Sequence, residues 1–346
     1  MRLEGAIAAL PSPRAFVGPM GRREVVYSSK IEQTYASVKD VALYDETQLA
    51  QTPSNDQERK KIQDRIEVYS NQLALEYGLA SPLPICLRLI REMHEKLMAI
   101  TGQGMGPGKF RDIQVFIGDD KLGVAHSRFV PPPPGQVLEQ CLFEFEQFLH
   151  PSDRHPRRRY DMIVEIALAH YQFECIHPFR DGNGRLGRLV IPLWPYKSGV
   201  IRYPLPYLSK TLSENREEYY NRLLGVSTQG QWIEWIEFFA RMITTACTED
   251  LGRAKRLGDL YSSYYDKLST KKRSSMKTIE LLDVVFDKLT VTVPSAEKVL
   301  SCSQPTAELH IKKLVDLGLL QEITGGNYRR RWFAQSVDDA IQGEVG

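Results

Sequence analysis

The sequence predicts a mainly α-helical protein with one short β element and a small separate C-terminal domain, and three observations predict it. Apolar residues recur at spacings of three and four over most of the 346 residues. Strand-like alternation is confined chiefly to Phe110–Gly118 (FRDIQVFIG), and the composition turns basic after Ser269. A hydrophobic content of 42% can supply more than one buried core. Lys plus Arg number 45 against 43 Asp plus Glu, and the resulting charge of +2 excludes a general attraction to nucleic acid or anionic membrane. The five cysteines are scattered, without the close pairing of a zinc site or disulfide framework, which fits a reducing cytoplasm. The apolar patch Ala6–Leu10 follows Glu4 and ends at Pro11 and Pro13, too short for a secretory or spanning segment, so a soluble cytoplasmic protein is expected.

Along the chain, prolines and glycines predict an irregular arm over residues 1–26. A helix is expected from Ser28 to about Thr47, with Ile31, Tyr35, Val38 and Val41 on one face and Ser28 or Ser29 as its cap. Asp56–Arg65 opens another amphipathic helix, and Leu87, Ile90, His94 and Leu97 mark a third over 84–100. Gly102, Gly104, Gly106 and Gly108 precede the strand-like segment, expected to be one arm of a hairpin. Pro131–Pro134 imposes an extended rod before a helix over 137–149. Tyr160–Cys175 is apolar on most faces, as a central buried helix is. An apolar run, Leu186–Trp194, and amphipathic helices over 214–224 and 232–253 complete the body. Residues 293–333 are expected to form a winged helix: helices 295–300 and 304–317, then a strand-turn-strand with Gly325-Gly326-Asn327 as turn and Arg329–Arg331 as a basic wing. Gln304, Thr306, His310 and Lys313 on its second helix are the candidate contacts to DNA, although such modules also dock proteins.

The chemistry concentrates in His177–Arg188 (HPFRDGNGRLGR). The glycines around Asn183 let successive backbone N–H groups converge at a helix start, which suits phosphate oxygens. Arg185 and Arg188, three apart, share a helix face and match the oxygens of a di- or triphosphate. Asp181 is a hard ligand for a phosphate-bound magnesium ion. His177 is the loop side chain suited to taking a proton near neutral pH.

This segment fits the HPFx(D/E)GNGRxxR signature of the Fic family, which the chain resembles over most of residues 28–250. The resemblance implies a Fic-type helical core with a β-hairpin flap, and transfer of AMP from ATP to a Ser, Thr or Tyr hydroxyl of a protein, including the enzyme itself, with release of pyrophosphate. By resemblance, His177 is the base, Asp181 binds Mg2+, and Gly182, Asn183, Gly184, Arg185, Leu186, Gly187 and Arg188 surround the phosphates. Phe179 would anchor the loop in the core. Lys109, Phe110, Ile113, Val115 and Ile117 would form the flap that aligns a substrate by strand addition. Tyr219 and Tyr220 resemble aromatic residues that flank the nucleobase.

Ser28-Ser29-Lys30-Ile31-Glu32-Gln33 resembles the family's inhibitory motif (S/T)xxxE(G/N), in the class where it precedes the core, with Gln33 departing from it. The resemblance implies that Glu32 pairs with Arg188 and takes the place of the γ-phosphate. The expected division is an N-terminal helical region over 1–105 with the inhibitory helix at about 28–47, a catalytic core over 106–255, and a winged-helix domain over 270–346. Partners expected are a protein substrate, DNA or a protein at the winged helix, and a second copy in a homodimer. A nucleotide-sensing DNA-binding regulator and an enzyme that removes AMP are the alternative readings.

Overall fold

The computed structural model describes residues 2–44, 55–101, 106–118, 127–150, 160–269, 276–324 and 330–343. In chain order its first helices are α1 (Arg2–Ala8), α2 (Arg14–Ile31), α3 (Val38–Leu43), α4 (Asp56–Ala80), α5 (Leu87–Met98) and α6 (Gln136–Leu149). There follow α7 (Met162–Ile176), α8 (Asn183–Lys197), α9 (Ser209–Glu214), α10 (Arg216–Gln229) and α11 (Trp232–Ser269). The C-terminal part holds α12 (Met276–Lys288), β1 (Thr290–Thr292), α13 (Val293–Leu300), α14 (Gln304–Asp316), β2 (Gln321–Glu322), β3 (Arg331–Phe333) and α15 (Gln335–Gln342). Among the described residues no helix is long and apolar enough to cross a membrane.

The chain gathers into two compact units: 24–36 with 50–246, and 1–23 with 37–49 and 247–346. This differs from the division expected at 105 and 255–270, because the first helices belong with the C-terminal part. In the larger unit α7 packs on α6 and α8, while α4 packs on α5 and both reach α8. Its apolar faces explain this: Ile166, Ala167, Ala169, Phe173 and Ile176 are buried, and each large apolar side chain removed from water contributes about 1.5–3 kcal/mol. The smaller unit packs α12, α13 and α14 beside a sheet of order β1-β3-β2, antiparallel throughout, with Val291 opposite Trp332 and Gln321 opposite Phe333.

Four sequence expectations need correction. The arm over 1–26 is helical, because burial of Leu3, Ile7, Phe16, Met20 and Val25 outweighs the cost of Pro19 inside α2. Gly18 is a packing glycine: a Cβ there would fall 1.8 Å from Asp287 Oδ1. The helix expected over 28–47 is two helices with a break at 32–37, so Ser28 and Ser29 lie in the last turn of α2 rather than at a start; Ser37 is the residue that caps α3. Phe110–Phe116 forms no ladder, and its pairing among the described residues is the bridge Ile117–Phe129. His310 is buried and hydrogen-bonded through Nδ1 to Thr278 Oγ1 at 2.8 Å, which removes it from any contact surface. Gln304 is exposed, Thr306 and Lys313 are half-buried, and the expected turn at 325–327 with Arg329 lies outside the described residues.

Candidate active site

Two residues in the left-handed region set the 177–182 loop. His177 (φ 47°) ends α7, its N–H reaching Phe173 O at 3.0 Å, and Gly182 (φ 80°) opens α8. A Cβ at Gly182 would also fall 2.9 Å from Leu97 Cδ2, so conformation and space both call for glycine. Asn183 folds back on the loop, Oδ1 accepting the Phe179 N–H and Nδ2 donating to Phe179 O, each at 2.9 Å. Phe179 is fully buried and lies flat on the His94 ring, centroids 3.8 Å apart.

Two residues outside the loop hold it in place. His94 Nε2 donates to Asp181 O at 3.0 Å while Nδ1 accepts the Gly108 N–H at 2.9 Å, a pattern that only a neutral ring can make. Burial, which lowers its pKa to about 4, keeps it neutral. Arg111 spreads its buried guanidinium over the carbonyls of His177 (2.8 Å), Ile176 (3.3 Å), Pro132 (2.5 Å) and Ile113 (3.3 Å). Its own N–H reaches Pro178 O at 2.9 Å. A non-glycine residue at positive φ costs about 1 kcal/mol, and this grip on two adjoining carbonyls offsets it at His177.

His177 Nδ1 lies 3.1 Å from Glu174 O. A carbonyl only accepts, so Nδ1 carries the proton and Nε2 keeps a lone pair. Burial lowers the His177 pKa to about 4, against the raising effects of the Glu174 carbonyl, Glu32 and Asp181. The ring is therefore neutral near pH 7.

A cavity of about 490 Å3 opens over the loop, within the size range of small-molecule sites. The N–H groups of Asn183, Gly184 and Arg185, in the first turn of α8, have no acceptor within their helix and stand at the positive end of its dipole. The Gly182 N–H is taken by Asp181 Oδ1 at 2.6 Å and the Asn183 side chain by Phe179, so neither adds to that anion site. Both arginines of the loop are ion-paired. Arg188, 1% exposed, gives Nη2 to Glu32 Oε1 at 2.7 Å and to Ser28 O at 2.9 Å, and Nε to Ser28 Oγ at 3.0 Å. Arg185 places Nη2 3.3 Å from Asp181 Oδ2 and Nη1 3.5 Å from Glu67 Oε2.

Of the remaining expected residues, Tyr219 and Tyr220 both line the cavity. Tyr219 is fully buried, its hydroxyl 2.8 Å from His170 Nε2, and Tyr220 lies between the guanidinium groups of Arg128 and Arg216. Ile117 lines the cavity, whereas Lys109, Phe110, Ile113 and Val115 do not; Ile113 is 49% exposed. Leu186 and Gly187 face inward: Leu186 is core, and a Cβ on Gly187 would fall 2.4 Å from Glu174 Oε1. Asp181 is more open to solvent than Glu32 or Glu67, its side chain 53% exposed against 37% and 24%. Sequence reasoning missed Arg111, Glu67, Phe116 and Glu174, and took His94 for an ordinary core position. Glu174 lines the cavity with Oε1 unpartnered among the described residues, and burial raises its pKa to about 7. The available signal was an acid and a histidine on otherwise apolar helix faces.

Glu32 owes its position to the end of α2. The N–H of Thr34 reaches Ser29 O at 3.1 Å and that of Gln33 reaches Lys30 O at 3.0 Å, the paired bonds of a Schellman ending, with Gln33 at φ 62°. That conformation explains why the resembling motif prefers Gly or Asn there. Gln33→Gly is expected to raise unfolding stability by about 0.5–1 kcal/mol in urea denaturation, a relief of backbone strain reduced by the entropy glycine adds to the unfolded chain.

The arrangement can seat a polyanion between a helix start and two arginines, beside a neutral imidazole. Two family models match the chain: Fic/DOC family at residues 84–194, and Fic/DOC family N-terminal at 1–80. Among curated relatives, protein adenylyltransferase Fic of Drosophila virilis is 32% identical over 196 residues, spanning 55% of this chain and 34% of that protein. The Drosophila melanogaster protein of the same name is 31% identical over an equal span and equal shares. The chain thus spans about a third of the length of the curated relatives it matches. Among solved structures, a Fic family protein from Desulfovibrio desulfuricans G20 aligns with TM-score 0.50 and 18% identity over 91% of this chain and 86% of that one. A segment of Fic-1 from C. elegans aligns with TM-score 0.56 and 22% identity over 73% and 70%. These two share the fold.

Proposed function

The chain belongs to the Fic/DOC family, two of whose models together match more than half of it, and from that premise we propose that it transfers AMP from ATP to a hydroxyl of a protein. The observation that carries the reading is the meeting, in one cavity, of the His177 imidazole with its Nδ1 pinned, the open N–H groups of α8, and Arg185 and Arg188. Nε2 of His177 takes the proton of the incoming hydroxyl, whose oxygen forms a bond to the α-phosphorus. The bond from that phosphorus to the bridging oxygen breaks, and pyrophosphate leaves with the electron pair. Charge developing on the α-phosphate falls on the N–H groups of Asn183, Gly184 and Arg185, while the two guanidinium groups neutralise the pyrophosphate. Asp181 fits magnesium, since one open carboxylate beside phosphates and water is the usual donor set. Bound with the nucleotide, magnesium supplies further charge neutralisation. Glu32 holds the resting enzyme back by occupying Arg188.

The test is incubation with magnesium and ATP labelled at either the α- or the γ-phosphate. AMP transfer puts the α label alone on protein, and γ label on protein refutes the reading. A pH dependence follows. A base must be deprotonated to act, and a pKa lowered to about 4 keeps His177 so far below the usual imidazole value. The acid limb of kcat/KM, which reports the free enzyme, is therefore expected below pH ~5, and a limb near ~6.5 would contradict the assignment.

A further inference from the structure

The two loop arginines are paired with carboxylates that come from separate elements. Arg188 meets Glu32 at the end of α2, and Arg185 meets Glu67 of α4. The same Glu67 Oε2 that faces Arg185 accepts the Thr34 hydroxyl at 2.9 Å, two residues past Glu32. Its Oε1 accepts Gln63 Nε2 at 3.1 Å, so the carboxylate is fixed from both sides. One turn earlier on α4, Asp64 Oδ2 accepts the Tyr35 N–H at 3.1 Å. The turn that carries Glu32 is thus fastened to α4 at two successive residues, and one fastening is the oxygen beside Arg185. Arg185 Nη1 is buried and makes no hydrogen bond among the described residues, so Glu67 neutralises it without satisfying it. A phosphate oxygen able to approach within hydrogen-bond distance is a better acceptor.

We propose that Glu67 is a positioning residue that controls polyphosphate entry: it occupies Arg185 and, through Thr34, latches the Glu32 turn, so that both arginines are withheld together. The inference rests on the reading that the leaving pyrophosphate sits on these arginines. Removing the Glu67 charge leaves Asp181 as the carboxylate beside Arg185 and opens Nη1 to the ligand, the opposite of what loss of a merely structural contact does. AMP, which lacks the outer phosphates, is indifferent to the change.

The test uses the full chain and titration calorimetry with two probes, inorganic pyrophosphate with magnesium and AMP. Glu67→Gln, which keeps the size and an acceptor for Thr34, is expected to bind pyrophosphate about tenfold more tightly, the effect of one charge-assisted hydrogen bond, with AMP affinity within about twofold of wild type. Glu67→Asp, which keeps the charge, should stay near wild type. Thr34→Val, which releases the latch and leaves the charge, should tighten pyrophosphate binding by about threefold, and carries the test alone if Glu67→Gln fails to fold. Equal or weaker pyrophosphate binding in Glu67→Gln overturns the proposal, as does an equal gain for AMP. That result leaves the transfer reading intact, whereas a Glu32→Gly, Glu67→Gln double variant that binds neither pyrophosphate nor ATP refutes both.

Discussion

His177→Ala is expected to lower the rate of α-label transfer by roughly a hundred- to ten-thousand-fold, the usual worth of a positioned base, while ATP affinity stays within about threefold. The asymmetry follows from where the groups sit. The α8 N–H groups and the arginines are independent of the imidazole, and the main-chain grip of Arg111 on His177 O and Ile176 O persists in the variant. Nucleotide binding is therefore separable from proton transfer. Glu174, one turn earlier and unpartnered at Oε1 among the described residues, is the carboxyl that α7 brings to the cavity, beside the Cys175 thiol. Substantial activity remaining in His177→Ala, abolished by a further Glu174→Gln, would move the role of base to that carboxyl.

Glu32→Gly is expected to raise transfer by about ten- to a hundredfold, because the ion pair it removes is worth about 1.5–3 kcal/mol with one partner buried and the other partly exposed. Arg188 then keeps only the two contacts to Ser28, and burial opposes its charge until an anion arrives. Gly184 lies directly against the Glu32 carboxylate: a Cβ there would fall 2.5 Å from Glu32 Oε1. The same variant is expected to unfold at lower temperature, regaining stability in saturating ATP. Measured initial rates with α-labelled ATP decide the matter: a rate equal to wild type removes Glu32 as the restraint. Glu32→Gln separates charge from shape and should activate less than glycine.

The candidate loop was legible because its residues are contiguous: histidine, aspartate, glycines and arginines lie within twelve residues of one another, and two helices flank them. The Glu32–Arg188 pair, 156 residues apart, was reached through the resemblance of Ser28–Gln33 to a known motif. What the sequence hid is tertiary. Arg111 acts across 66 residues on His177, and Glu67 meets Arg185 from a separate helix, so no local spacing announces either. His94 sits at a regular apolar position of α5 and reads as core, which by burial it is. The N-terminal helices were concealed by Pro19 and Gly18, whose local costs are overruled by packing in the smaller unit. The segment after Lys109 has the composition of a strand, yet its backbone polar groups are met by the Arg111 side chain and a single bridge rather than a ladder.

One guanidinium ties the backbone at Ile113, the proline run at Pro132 and the peptide units on both sides of His177. The segment leading to Ile117, the proline run and the backbone that carries the imidazole are therefore cross-tied through one side chain. On the proposed function, a polypeptide that displaces either segment pulls on the imidazole as well. On that reading the protein's substrates are chosen as a jig chooses a workpiece, by what seats correctly in a fixed frame.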